Sequence, residues 1–150
     1  MPARPDTPKL SNFLCFAVYS ANLAFGRAYK PILEKLGLTY TQYIVMVALC
    51  EEGDQTVGAL GEKLFLESNT LTPILKKLES LDFIRRQRDP ADERQVRVSL
   101  TAAGRRLLDQ DFSAELLKAT GLGEDFPAVR QSVTRLRDNL LDATRSGKKS

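Results

Sequence analysis

The chain has 150 residues, 43% of them hydrophobic, a formal net charge of +3, two cysteines and no histidine. That length holds one domain, or one domain with arms for association. Without histidine the commonest metal ligand and the usual general base are missing, so no zinc site, no cofactor and no histidine-based catalysis are expected. The longest apolar run, Tyr43 to Cys50, is far short of the about 20 residues that span a bilayer. The opening MPARPDTPKL lacks the apolar core of a signal peptide, so a cytoplasmic protein without membrane contact is expected. Two widely spaced cysteines in that compartment do not make a disulfide framework.

Met1 to Thr7 carries two prolines and reads as a mobile arm. Lys9 to Leu36 reads as helix, closed by Gly37-Leu38. Its apolar residues (Leu10, Phe13, Leu14, Ala17, Val18, Ala21, Ala24, Phe25) cover more girth than one core needs. Such a helix must be buried on two sides, and in a small protein the second side is often another subunit. Pro31 predicts a kink or break near Tyr29-Lys30. Cys15 stands in this helix with Tyr19 one turn later, and Phe13, Phe16 and Phe25 offer apolar walls around it. On residue type alone, a free cysteine is most often a small buried hydrophobe.

Thr39 to Glu52 predicts a buried helix, opened by the capping box Thr39-Tyr40-Thr41-Gln42 and packed through Ile44, Val45, Val47, Ala48 and Leu49. Cys50, at its end, reads as structural. Gly53-Asp54-Gln55 reads as a turn, and Val57 to Phe65 as the first helix of a helix-turn-helix. The next helix starts at Ser68 to Thr70, with Ser68 as its N-cap, because Pro73 is tolerated only near a helix start. Leu71, Ile74, Leu75 and Leu78 form its buried stripe. Asn69, Thr72, Pro73 and Lys76 fall on the opposite face, where a recognition helix meets base edges. With Ser68 and Thr70 they are the candidate DNA readers, and Lys76 and Lys77 the candidate phosphate contacts.

Phe83 to Arg88 and Gln95 to Leu100 predict two strands around the turn Asp89-Pro90-Ala91-Asp92. Val96, Val98 and Leu100 alternate with Arg97 and Ser99, which predicts one buried and one wet face. Between Ile84 and Arg106 stand seven arginines and three acids, a local excess of four positive charges against +3 for the whole chain. A helix-turn-helix followed by such a hairpin is a winged helix, whose wing reaches phosphates and a narrow minor groove. Arg86, Arg88 and Arg94 are candidate contacts there, Arg94 for the minor groove, with Asp92 placed to orient a neighbouring arginine. Thr101 predicts the cap of a helix running to about Ala119, and Gly121-Leu122-Gly123 a break. The last helix runs from Asp125 or Pro127 to Thr144, with Val129, Val133, Leu136, Leu140 and Leu141 near a heptad. Ser146 to Ser150 reads as a disordered tail.

Asp92-Glu93-Arg94, five residues, then Leu100-Thr101 resembles the wing motif D-x-R-x5-L-T of the MarR family of bacterial transcription regulators. The resemblance covers nearly the whole chain, although Asn69 stands where that family often has glycine. Three further segments resemble its OhrR subfamily, the organic hydroperoxide sensors: Leu14-Cys15-Phe16, Tyr29-Lys30-Pro31, and Leu36-Gly37-Leu38-Thr39-Tyr40-Thr41-Gln42-Tyr43. The resemblance implies that Cys15 is the peroxide sensor and that Tyr29 and Tyr40 of a partner subunit hydrogen-bond its thiolate. Phe13, Phe16, Tyr19 and Phe25 would line the sensor pocket. Cys15 and Tyr29 are 14 positions apart, about 21 Å on one continuous helix, so if they meet they meet across a dimer. Two-cysteine members carry their second cysteine far downstream. This chain has none after Cys50, which implies a one-cysteine sensor that needs a small thiol.

The fold expected is mainly α with a small β-wing: a winged helix-turn-helix over 39–101, a connecting helix over 101–120, and dimerisation helices over 9–36 and 124–146. The function expected is a homodimeric repressor, not an enzyme. Its two recognition helices would enter successive major grooves of a pseudo-palindromic double-stranded DNA, about 34 Å apart. Organic hydroperoxide and a small thiol would be its signals. A non-redox phenolic ligand for the same cleft is the nearer alternative. A thiol peroxidase is the remote one, since Cys15 lacks the P-x-x-x-T/S-x-x-C context of peroxiredoxins.

Overall fold

The computed structural model describes residues 7–110 and 112–147. The arm expected before Thr7 and the tail beyond Gly147 lie outside the described residues. The chain divides into two compact units, Met1–Asp111 and Phe112–Ser150.

The first unit opens with a 3-10 turn, Leu10–Asn12, and helix α1, Leu14–Glu34. Pro31 does not break α1. It lies in the final turn, so it removes one helical hydrogen bond near an end that is already tied down. Leu33 is buried there, Gly37 takes φ +71°, and the Gly37 and Leu38 N–H groups donate to the Glu34 and Leu33 carbonyls at 3.0 and 3.2 Å. That left-handed glycine is the helix stop the sequence predicts.

Helix α2, Tyr40–Glu52, begins at the expected capping box. The Gln42 N–H donates to Thr39 Oγ1 at 3.3 Å, and the Thr39 N–H donates to Gln42 Oε1 at 3.0 Å. Val45, Met46, Ala48 and Leu49 are its buried residues, while Val47 is exposed. The chain bends at Gly53 and Asp54 as expected, but Gln55, read as the end of that turn, begins strand β1, Gln55–Thr56, which pairs with the wing. Two residues carry no readable alternation. What holds them is Gln55, buried with its Nε2 donating to the Ala48 carbonyl at 3.0 Å.

Helix α3, Val57–Leu64, is capped by Thr56, and α4 spans Ser68–Ser80. Ser68 is not the N-cap. Glu67 holds that position with extended backbone, its carbonyl accepting from the Thr70 and Leu71 N–H groups, and Ser68 is the first helical residue. Leu71, Leu75 and Leu78 of α4 join Leu60 of α3 and Val45, Met46 and Leu49 of α2 in the core. Each such leucine is worth about 1.5–3 kcal/mol of apolar burial.

Strands β2, Ile84–Arg88, and β3, Val96–Leu100, complete a sheet of order β1-β3-β2. Because β3 is central, Arg97 and Ser99 are half-buried instead of wet, and Val98 alone is fully buried. Helix α5, Ala102–Leu108, is shorter than expected. Asp109 is its C-cap, where a carboxylate is unfavourable against the helix dipole. Thr101 does two jobs. Its Oγ1 accepts from the Gly104 N–H at 3.0 Å to cap α5, and donates to the Asp82 carbonyl at 2.6 Å to tie α5 to the turn before β2. A Cβ at Gly104 would lie 2.3 Å from the Phe83 carbonyl oxygen, so this close approach requires glycine.

The second unit holds α6, Ser113–Ala119, then Gly121 and Gly123 at φ +66° and +55°, a 3-10 turn Gly123–Asp125, and α7, Phe126–Gly147. The predicted glycine break is present. Helix α7 runs three residues beyond the expected Thr144. Val129, Val133 and Leu140 on α7 are exposed.

Candidate functional site

The N-terminal half of α4 presents small polar groups. Ser68, Asn69, Thr70, Pro73, Lys76 and Lys77 are exposed. Thr72 is half-buried, with its hydroxyl donating to the Ser68 carbonyl at 2.7 Å. The amphipathic pattern causes this split, because the leucines that bury one stripe leave the opposite face outward.

The wing loop is turned by aspartates. Asp89 Oδ1 accepts from the Ala91 N–H at 2.9 Å, and the Asp89 N–H donates to the Gln95 carbonyl at 2.8 Å. At the tip Asp92 Oδ1 accepts from the Arg94 N–H at 3.1 Å and from its Nε at 3.2 Å. The Arg94 side chain is 91% exposed. Asp92 is thus hydrogen-bonded to both the backbone and the side chain of Arg94. Arg97 spans Asp54 and Asp89, both at 3.4 Å, and these two carboxylates, Asp54 foremost, hold its guanidinium above its ordinary range.

Arg85 and Arg88 are exposed on β2, but Arg86 is not free in the same way. Its Nη2 donates to Glu79 Oε1 at 2.9 Å and its backbone N–H donates to Glu79 Oε2 at 3.2 Å. Sequence reasoning placed Arg86 among the DNA contacts and passed over Glu79. A carboxylate seven positions before an arginine carried no local signal, because the two meet only when α4 and β2 pack.

Cys15 and Cys50 are both free thiols and both exposed, so neither is the buried hydrophobe that composition favours. Leu10 and Phe13 before α1, and Leu14, Phe16, Val18, Tyr19, Leu23 and Phe25 on it, are exposed too. The aromatic groups fall into two sets along this unbroken helix. Phe16 and Tyr19 sit beside Cys15, with ring centroids 6.3 Å apart. Phe25 and Tyr29 meet edge to face at 5.3 Å, and Tyr29 reaches Tyr40 of α2 at 6.2 Å. Thus the two sequence-predicted tyrosines are brought together, and of the residues expected to line a sensor pocket Phe16 meets Tyr19 near Cys15 while Phe25 meets Tyr29 farther along the helix. Burial, then the neighbouring Tyr40 and Tyr43, raises the Tyr29 phenol above its ordinary value of 10.0, so Tyr29 remains a proton donor.

A polar helix face beside an arginine-tipped hairpin on a three-stranded sheet defines a winged-helix DNA-binding protein. Residues 27–110 match the family of SarA/Rot transcriptional regulators. The chain is 38% identical to the organic hydroperoxide resistance transcriptional regulator of Bacillus subtilis, over 90% of this chain and 94% of that protein. It is 52% identical to the transcriptional regulator TtmR of Methylorubrum extorquens over 69% of this chain, and the match spans about half (53%) of TtmR. Reduced AbfR bound to DNA superposes with a TM-score of 0.74 at 32% identity, over 90% of this chain and 96% of that one. The chain belongs to the MarR-like transcription regulators and, among them, to the organic hydroperoxide resistance regulators.

Proposed function

We propose that the protein is a homodimeric, cytoplasmic repressor that holds a pseudo-palindromic operator while Cys15 is reduced and releases it once an organic hydroperoxide oxidises Cys15. The observation that carries the reading is the layout of α1. Cys15 stands at one end of an unbroken helix, and the Tyr29–Tyr40 pair stands at the other. The separation is about 21 Å. The apolar surface between them is exposed in the single chain. A second copy laid antiparallel across α1, with its two-fold axis near Asn22, would cover that surface and bring Cys15 to the tyrosine pair of the partner. The exposed stripe of α7 offers a second surface for the same partner.

Phenol hydroxyls donating to Cys15 favour thiolate over thiol. The thiolate sulfur attacks the terminal peroxide oxygen, the O–O bond breaks, and the alkoxide leaves with a proton as alcohol. Cys15 is then a sulfenic acid. A small thiol condenses with it, forming a mixed disulfide and releasing water, and a second thiol can reverse the step. The polar product and its adduct sit poorly in an apolar interface, at a cost of about 1–3 kcal/mol for an unsatisfied polar group. Rotation of the two protomers relieves that cost and spoils the spacing of the recognition helices. On the DNA, Ser68, Asn69, Thr70, Thr72 and Pro73 face base edges, Lys76, Lys77 and Arg88 hold phosphates, and Arg94 enters the minor groove.

The test uses a labelled duplex selected by the native protein from a randomised library, followed by fluorescence anisotropy. Stoichiometric cumene hydroperoxide plus a small thiol releases the duplex from the native protein and leaves Cys15→Ser bound. Equal release from Cys15→Ser would sink the redox reading. Binding that survives oxidation in both proteins would point to a non-redox ligand.

A further inference from the structure

Strand β2 is an edge strand, since the sheet order is β1-β3-β2. An edge leaves backbone N–H groups without a strand partner. One of these, on Arg86, is taken by the carboxylate of Glu79 at 3.2 Å, while the Arg86 guanidinium donates to the other carboxylate oxygen at 2.9 Å. Glu79 lies in the last turn of α4, and Arg86 lies at the middle of β2, opposite Val98 on β3. One side chain of the recognition helix thus grips both the backbone and the side chain of the wing. Both groups are partly screened from solvent, with side chains 39% and 26% exposed. Arg86 Nε is buried without a hydrogen-bond partner, so this arginine is set into the junction and not extended toward solvent.

We propose that Glu79 and Arg86 are a positioning pair for DNA reading. They fix the angle between recognition helix and wing, so that α4 can sit in a major groove while Arg94 enters the neighbouring minor groove. Arg86 makes no DNA contact of its own. The proposal rests on the DNA-binding reading above and goes beyond it, because it assigns specificity to two residues that the nucleic acid never touches. A phosphate-binding arginine and a positioning arginine differ in a measurable way. Losing a phosphate contact lowers the slope of log affinity against log salt by about 0.9 per charge. Losing a hinge-fixing contact leaves the phosphate count unchanged and erodes the preference for the right sequence.

The experiment compares native protein, Glu79→Gln, Arg86→Met and the double variant. Each is titrated against the library-selected duplex and a random duplex of equal length, at several salt concentrations, with thermal melting as a check on folding. Glu79→Gln and Arg86→Met should each weaken binding to the selected duplex by about three- to tenfold, the size expected of coupling between contacting residues. Binding to the random duplex and the salt slope should stay as in the native protein, and the double variant should be no worse than either single one. If Arg86→Met does not fold, Glu79→Gln decides alone, since its loss of specific binding supports the pair and native behaviour overturns it. A flatter salt slope in Arg86→Met with native behaviour in Glu79→Gln would make Arg86 a phosphate contact and overturn the proposal. Failure of the native protein to select any duplex would overturn the DNA-binding reading itself.

Discussion

The reading head and the thiol helix are built on opposite plans. In the reading head every group that matters meets its partner inside one chain. Leucines of α4 lock into α2 and α3, Glu79 grips β2, and Asp92 aims Arg94. On α1 the chemistry-bearing groups are laid out along one helix and left apart, with an apolar surface exposed between them. One chain is thus enough to shape a DNA-reading surface, while the site proposed for Cys15 would need a second copy to complete it. In the proposed dimer the sensor would lie in the joint that sets the spacing of the two reading heads.

Damage to the first region should be the most severe. Leu71 of α4 is fully buried, and Leu71→Ala should cost about 2–5 kcal/mol of stability in chemical denaturation. The oxidation chemistry of Cys15 should be affected only as the fold is lost. Arg94→Ala removes the exposed tip of the wing and leaves the core alone. It should weaken duplex binding by about 1–3 kcal/mol, read by anisotropy, with native melting behaviour.

Changes on α1 should do the reverse. Tyr29→Phe keeps the ring packing against Phe25 and Tyr40 but removes the hydroxyl that the proposed dimer would aim at the partner's cysteine thiolate. Oxidation by cumene hydroperoxide should slow by about tenfold, the size of a hydrogen bond to a charged group, while reduced protein binds its duplex as before. The smallest effect is on alkaline stability. Burial raises the Tyr29 phenol first, with Tyr40 and Tyr43 adding to it. A raised folded-state value means that this contribution is complete below the ordinary value near 10.0 and is lost as pH rises through the raised one. Tyr29→Phe should therefore flatten the loss of stability above that pH, and an unchanged alkaline melting profile would remove any special environment for Tyr29.

Features with a local code were legible in the sequence. The Thr39–Gln42 capping box, the Gly37 stop, the leucine stripe of α4 and the aspartate-turned wing each depend on neighbours a few positions away. Features that depend on packing were not. Gln55 looked like part of a turn because nothing nearby reveals that its amide will meet Ala48. Arg86 looked like a phosphate ligand because Glu79 becomes its partner only when helix and strand meet. Glu67 displaced Ser68 as the cap of α4 without any side-chain bond, and α5 stops at Leu108 although the apolar stripe could have continued to Ala119. The candidate thiol site was legible as residues but not as geometry, since Cys15 and the Tyr29–Tyr40 pair stand far apart along α1 of one chain.

The central claim is that Cys15 works with the tyrosines of its partner. It is tested most directly with mixed dimers, one protomer carrying Cys15→Ser and the other Tyr29→Phe with Tyr40→Phe, isolated by two affinity tags. The observable is the rate at which cumene hydroperoxide oxidises the one remaining Cys15. Assembly across two chains gives that cysteine an intact tyrosine pair, so it should react at the native rate with half the native amplitude. A rate as slow as that of the Tyr29→Phe, Tyr40→Phe homodimer would contradict the account and place any tyrosine effect within a single chain.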